Sequence, residues 1–172
     1  MRLRYRLEQL VRNLRSQPSP DLLIQASKVL TQDQLLLFRS MKPADQAHSL
    51  RVLRTLQARG ETDPDLLAAA LLHDVGKACH PLRLWERALI VLCQTFLPGN
   101  TQHWGQGEPV GWRRPFVIAA QHPDWGAAMV AEVGASEELQ RLIAAHQNEP
   151  EPTVNSEFSK SLRALQAADN RN

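Results

Sequence analysis

The chain has 172 residues, 43% of them hydrophobic and 22% charged, with a formal net charge of +2. That length suits one domain with a proper core, and the composition is that of a globular protein rather than a disordered one. So small a charge gives no ground for a nucleic-acid partner across the whole surface, and two cysteines, Cys79 and Cys93, without CxxC spacing point away from a disulfide framework and towards a reducing cytoplasm.

Leu3, Leu7, Leu10, Val11 and Leu14 recur at helical spacing and predict an amphipathic helix over 2–15. Its other face carries Arg2, Arg4, Arg6, Arg12 and Arg15 against Glu8 alone. The economical reading is a solvated polar face, with the apolar stripe docked on the core or on a second subunit, so a homodimer stays open. Contact with anionic lipid or nucleic acid is the alternative. Gln17-Pro18-Ser19-Pro20 breaks this helix, and a short second one starts at Asp21. Thr31 with Gln34 makes a capping-box pattern that opens a third. Pro43 suits the first turn of a helix that runs to Arg59 and is stopped by Gly60.

Asp63-Pro64 is a further helix start, with an N-cap and a proline at the first helical position. The helix carries Leu66, Leu67, Ala70 and Leu71 into His73-Asp74 and ends near Gly76. Leu82–Leu97 reads as a helix closed by Pro98-Gly99, and 98–115, rich in Gly, Pro and Trp, as a long loop. Pro123–Val133 is helical up to Gly134, and Ser136 caps the next helix. Pro150 and Pro152 mark a loop, and 156–169 form the last helix. No strand or internal repeat is expected. The apolar runs Leu66–Leu72 and Ala88–Cys93 are too short to span a membrane, and the N-terminus lacks a signal-peptide core. The expectation is an all-α helical bundle with no sheet. Residues 1–42 would pack on a domain over 43–172 that carries an insertion at about 78–121, all in one compact unit.

Six residues bear on chemistry: His48, His73, Asp74, His122, His146 and Asp169. Each lies on the stripe its helix should bury. His48 sits one turn before Val52, Asp74 follows Ala70 and Leu71, and His122 leads Gly126 and Val130. His146 follows Leu142 and Ile143, and Asp169 follows Leu162 and Leu165. A buried aspartate is costly unless paired or metal-bound. Imidazoles with carboxylates favour Mn, Fe, Co, Ni or Zn over Ca. Any one of these histidines also fits a hydrogen-bonded core residue, and Asp169, three residues from the last, fits a solvated end.

Ala68-Ala-Ala-Leu-Leu-His-Asp-Val-Gly-Lys77 resembles the signature of the HD superfamily of metal-dependent phosphohydrolases. The order His48, His73-Asp74, His122, His146, Asp169 is similar to the ligand set of its two-metal, HDIG-like branch, and the resemblance covers about 44–172. It implies an HD-domain helical bundle with one or two divalent transition metals, Mn or Fe foremost and Co, Ni or Zn as alternatives. His48, His73, Asp74 and Asp169 would hold the first metal. Asp74 would bridge to a second, held by His122 and His146. Such a bridge sets two cations about 3.5–4 Å apart, where they share a hydroxide that attacks phosphorus. Lys77 would contact substrate phosphate, giving Asp74 and Lys77 catalytic roles; its plain alternative is an exposed lysine. Two departures stand out. Gln147 follows His146 where some two-metal members have a second histidine, and the glycine-tyrosine-proline motif of cyclic-di-GMP phosphodiesterases is missing, which disfavours that substrate.

The insertion contains His80, Trp85, His103, Trp104, Trp112, Arg113 and Arg114. It reads either as a lid, with tryptophan on a base and Arg113 and Arg114 on phosphate, or as a packed loop with its own aromatic core. His80 is a loop histidine or a general acid. The leading function is hydrolysis of a nucleotide or another small phosphate ester by a metal-bound hydroxide. A di-iron oxygenase of the same superfamily and a nucleotide sensor without activity are the alternatives.

Overall fold

The structure, a computed structural model, describes residues 20–148 and 156–172. The expected helix over 2–15 and the loop at Pro150 and Pro152 lie outside the described residues. Among those described there are nine α-helices and no strand, as an all-α fold requires. The helices are α1 (Pro20–Val29), α2 (Gln32–Ser40), α3 (Pro43–Ala58), α4 (Pro64–Leu72), α5 (Leu84–Phe96), α6 (Pro98–Trp104), α7 (Arg114–Glu132), α8 (Glu137–Ala145) and α9 (Glu157–Asp169). Short 3-10 turns span Val75–Ala78 and Gly111–Arg113.

Local chemistry sets most helix ends. Thr31 and Gln34 form the expected reciprocal capping box at α2. Asp63 caps α4 by accepting from the amides of Asp65 and Leu66, and Ser136 caps α8 through the Leu139 amide. Gly60 and Gly134, at φ 84° and 71°, end α3 and α7. In each case the next residue donates to the carbonyl five residues back, Glu61 to Leu56 and Ala135 to Val130, a closure that needs the left-handed glycine.

α4 is the central element. It is apolar all round, and Leu66, Ala68, Ala69, Ala70, Leu71 and Leu72 are all buried. Its three alanines let α3, α8 and α9 close on it from several sides, with α1 and α2 also in contact. Leu50, Leu53, Leu56, Leu142, Ile143 and Leu165 complete the main core, which Ala26, Leu30 and Phe38 join from α1 and α2.

The segment after Pro98 differs from expectation. Pro98 does not merely close α5; it occupies the first turn of α6. α7 begins at Arg114 rather than at Pro123, so Pro123 lies inside it. Proline at a helix start and proline in a helix interior look alike in sequence. Pro115 takes the starting role here, and tertiary packing carries the helix through Pro123. The insertion is therefore mostly helical. It has a small core of Leu82, Ile90 and Ile118, and an aromatic group in which Trp104 lies 5.3 Å from Trp112 and 5.0 Å from Phe116 between ring centres. It is tied to α3 by Lys42, which donates to the Leu82 carbonyl, and by a two-pronged ion pair of Arg87 with Asp45 at 2.8 and 2.7 Å.

Candidate metal centre

The ends of α4, α8 and α9 converge on the middles of α3 and α7, and this crossing gathers the six residues. α4 stops at Leu72, short of Gly76, so His73 is its C-cap and Asp74 leads the 3-10 turn. His146 is the C-cap of α8, and Asp169 is the last residue of α9. His48 and His122 come from within α3 and α7. The four histidines and Asp74 are buried.

The ligand atoms fall into two groups, each within 4.8 Å: His48, His73 and Asp169, and Asp74, His122 and His146. Asp74 faces both. Its Oδ2 lies 3.7 Å from His73 Nε2, while its Oδ1 lies 3.2 Å from His122 Nε2 and 3.9 Å from His146 Nε2. His48 Nε2 meets Asp169 Oδ1 at 2.7 Å, and the same oxygen is 3.7 Å from His73 Nε2.

Three rings are fixed from behind. His73 Nδ1 donates to Ala70 O at 3.1 Å and His146 Nδ1 to Ile143 O at 2.7 Å. His122 Nδ1 lies 3.0 Å from both Ile118 O and Ala119 O. Pro123 explains the last contact. It has no N–H to give the carbonyl four residues back, so Ala119 O is free to accept from the imidazole. A carbonyl on Nδ1 sets the tautomer and leaves Nε2 with a lone pair, as a metal ligand needs. His73 Nε2 and His122 Nε2 are buried without a hydrogen-bond partner, although His122 stands close to Asp74. Buried polar atoms are seldom left so. Unprotonated ring nitrogens aimed at a shared carboxylate fit a divalent cation, so the residues present suit the metal that the donor set implies.

The electrostatics agree. Burial and then the Lys77 charge push the His122 pKa down, and Asp74 does not offset them. Burial with the neighbouring His73 and His122 takes His146 to about 3. Burial raises the Asp74 pKa, but Lys77, His73 and His122 together hold it well below the ordinary carboxylate value. Partial desolvation raises the half-buried Asp169, but His48 and His73 hold it at about 2. Neutral His122 and His146 beside ionised Asp74 and Asp169 is the state a metal binds.

Lys77 reaches Asp74 Oδ2 at 2.6 Å through the 3-10 turn rather than along a continued helix. It lines a cleft of about 230 Å³ together with His122, Arg87, Gln94 and Gln147. Arg113 and Arg114 do not line this cleft. Arg114 is engaged by the buried Glu86 and the Pro81 carbonyl, and Arg113 lies over the Trp112 ring. No tryptophan lines it either; Trp104 packs on Trp112, Trp125 stands against His80 at 5.0 Å between ring centres, and Trp85 is exposed. Sequence reasoning missed Arg87, whose only signal is its place on the inner face of α5, one residue after Glu86. It also missed Gln166, which donates to the carbonyls of His146 and Asn148 at 3.0 and 2.7 Å and so braces one candidate ligand from the helix that carries another.

Among the described residues no helix is long and apolar enough to cross a membrane. No curated protein and no solved structure matches the chain. The family model of the HD domain matches residues 46–171, a span that begins two residues before His48 and closes two after Asp169. With this match over most of its length, and with a helical bundle that brings the motif's histidines and aspartates together, the chain belongs to the HD domain family.

Proposed function

We propose that the protein is a metal-dependent phosphohydrolase acting on a nucleotide or another small phosphate ester. The observation that carries this reading is the pair of buried, unpartnered Nε2 atoms of His73 and His122, turned towards Asp74 beside a cleft that holds two cationic side chains. His48, His73 and Asp169 would hold one cation and His122 with His146 a second, with Asp74 shared between them. Mn or Fe fits such nitrogen and oxygen donors. When bound, divalent cations acidify water to near neutrality and draw charge from a phosphoryl oxygen.

The chain's own residues do the rest. Asp74 presents one oxygen to each group and so keeps both ligand sets in register. Lys77 offers a compact positive charge to a phosphate oxygen at the cleft wall. Arg87, held rigid by Asp45, adds a second positive charge, and the amides of Gln94 and Gln147 offer donors and acceptors to the remainder of the ester. A cleft of about 230 Å³ lies below the ~300–1,000 Å³ of full ligand pockets, so it suits the phosphoryl end of the molecule, with the rest reaching into solvent. Cys79 and Cys93 are both free thiols, which fits a cytoplasmic setting.

The test is to load the chain with Mn²⁺ or Fe²⁺ and screen phosphomonoesters and phosphodiesters. Turnover that disappears together with bound metal in His73→Ala is the expected result. No turnover with any metal, joined to unchanged metal content in His73→Ala, overturns it. So does oxygen consumption by the iron-loaded protein without phosphate release.

A further inference from the structure

We propose that the outward face of α5 pairs with the same face of a second copy of this chain, the two helices running antiparallel about a twofold axis. Trp85, Leu89, Leu92 and Phe96 follow one another at spacings of four, three and four residues, which is the seam of a packed helix pair. Trp85, Leu92 and Phe96 are 55%, 40% and 65% exposed, and Leu84 beside them is 63% exposed. No other α-helix shows more than one large exposed hydrophobic side chain, Ile24 on α1 and Leu36 on α2.

This face carries no charge. Glu86 and Arg87 turn inward, to Arg114 and Asp45. Gln94 lines the metal cleft, and the Thr95 hydroxyl donates to the Val91 carbonyl at 2.7 Å. A helix that faces solvent normally sets charged and polar residues there, and an apolar patch in their place marks a contact surface. A fully covered aromatic side chain buries about 150–250 Å², so the exposed parts of Trp85 and Phe96, with Leu84 and Leu92, come to roughly 400 Å² per copy. Two copies would cover about 800 Å² of apolar surface. With about 60% of an interface apolar, that corresponds to about 1,300 Å² in all, within the ~1,200–2,000 Å² of stable complexes.

The order of residues identifies the occupant. Read from either end, 84–97 has one pattern: leucine, an aromatic residue, two polar residues, a small residue, leucine and a β-branched residue. A twofold contact is one patch meeting itself, so the patch must look the same when reversed. An axis level with Ile90 and Val91 sets Trp85 of each copy against Phe96 of the other, and Leu89 against Leu92. An unrelated protein or a lipid surface places no such demand on the sequence. The inner side of the same helix brings Arg87, Ile90, Val91 and Gln94 to the metal cleft, so the pairing would also hold one cleft wall in place.

Sedimentation velocity of the full chain over a concentration series reads the pairing. Wild type should form a dimer, and so should Leu36→Glu, which puts a charge at the exposed leucine of α2. Trp85→Lys and Phe96→Glu should each associate at least about tenfold more weakly, because aromatic anchors carry most of the binding energy of an interface. Both side chains are more than half exposed, so each variant should still fold, which circular dichroism checks. Leu92→Glu serves if either does not. Mixing Trp85→Lys with Phe96→Glu should restore a dimer, since antiparallel pairing sets the new ammonium against the new carboxylate and leaves the other Trp85–Phe96 pair intact. A parallel pair could not do this. A wild type that is monomeric at every concentration overturns the proposal. So does a dimer that survives Phe96→Glu, or a mixture that stays monomeric. Monomeric wild type that binds phosphatidylglycerol vesicles, with binding lost in Phe96→Glu, overturns it in favour of a lipid surface.

Discussion

Among the glycines Gly76 is held closest to a neighbouring segment, and Gly76→Ala tests whether that junction sets the metal centre. A Cβ on Gly76 would stand 2.0 Å from the His122 carbonyl oxygen, 2.7 Å from the Gly126 nitrogen and 3.0 Å from the His122 carbonyl carbon. These are backbone atoms of α7, so no side chain can rotate away. Ordinary contact begins at 3.4 Å, so the 3-10 turn and α7 must part by about 1.4 Å. Overpacking usually costs about 1–3 kcal/mol, and a rigid backbone neighbour puts this case at or above about 3. For a chain of this length that is a fall of roughly 6–12 °C in melting temperature. The same displacement moves His122 away from Asp74, and we expect metal affinity to drop about 10–100-fold. Melting followed by circular dichroism, with metal content measured by elemental analysis, reads both effects. Gly99→Ala is the control, because nothing lies within 4 Å of its added Cβ. A Gly76→Ala protein that melts within about 2 °C of wild type and keeps its metal would refute the reasoning.

Further outcomes follow from the same geometry. Lys77→Ala leaves the buried Asp74 carboxylate without its 2.6 Å ammonium and should destabilise the metal-free protein by about 3 kcal/mol. Added Mn²⁺ should close most of that gap in a melt, because a cation then balances Asp74. Asp74→Ala should lose metal from both groups and His146→Ala from one; equal stoichiometry in the two variants would remove Asp74 from its bridging place. Pro123→Ala restores an N–H that competes for Ala119 O, so metal affinity should fall about tenfold while stability holds or rises. A loss of stability instead would mean that Pro123 serves packing alone. Glu86 is buried, yet Arg114 and the Arg83 amide hold its pKa below 4.5. Its contribution to stability is therefore complete above about pH 4.5 and is lost as the pH falls through the folded value. Denaturant midpoints of Glu86→Gln should be lower than wild type at neutral pH and converge with it in acid.

The candidate site was legible to the extent that its ligands sit beside local signals. His73-Asp74 follows a helix start that Asp63-Pro64 announces, and His146 ends a helix that Ser136 caps. Such features depend on a few neighbouring residues, so one sequence carries them. Arg113 and Arg114 show the opposite. Their charge suggested phosphate contact, but Glu86, far away in sequence, engages Arg114. Arg87, which does line the cleft, has no motif to mark it.

Caps, glycine stops and apolar periodicity are short-range physics, so the all-helical class, most helix starts and stops, and the six candidate histidines and aspartates could be read from neighbouring residues. Tertiary structure alone decided how these residues meet. It carried α7 through Pro123, since packing against α8 and the 3-10 turn outweighs a lost hydrogen bond. It made Pro98–Trp104 a helix and started the next at Arg114, leaving 105–113 as a turn and a short 3-10 segment. It also set one oxygen of Asp74 towards each histidine group, a geometry that depends on Gly76 touching α7 and so on two segments that are neighbours only after folding.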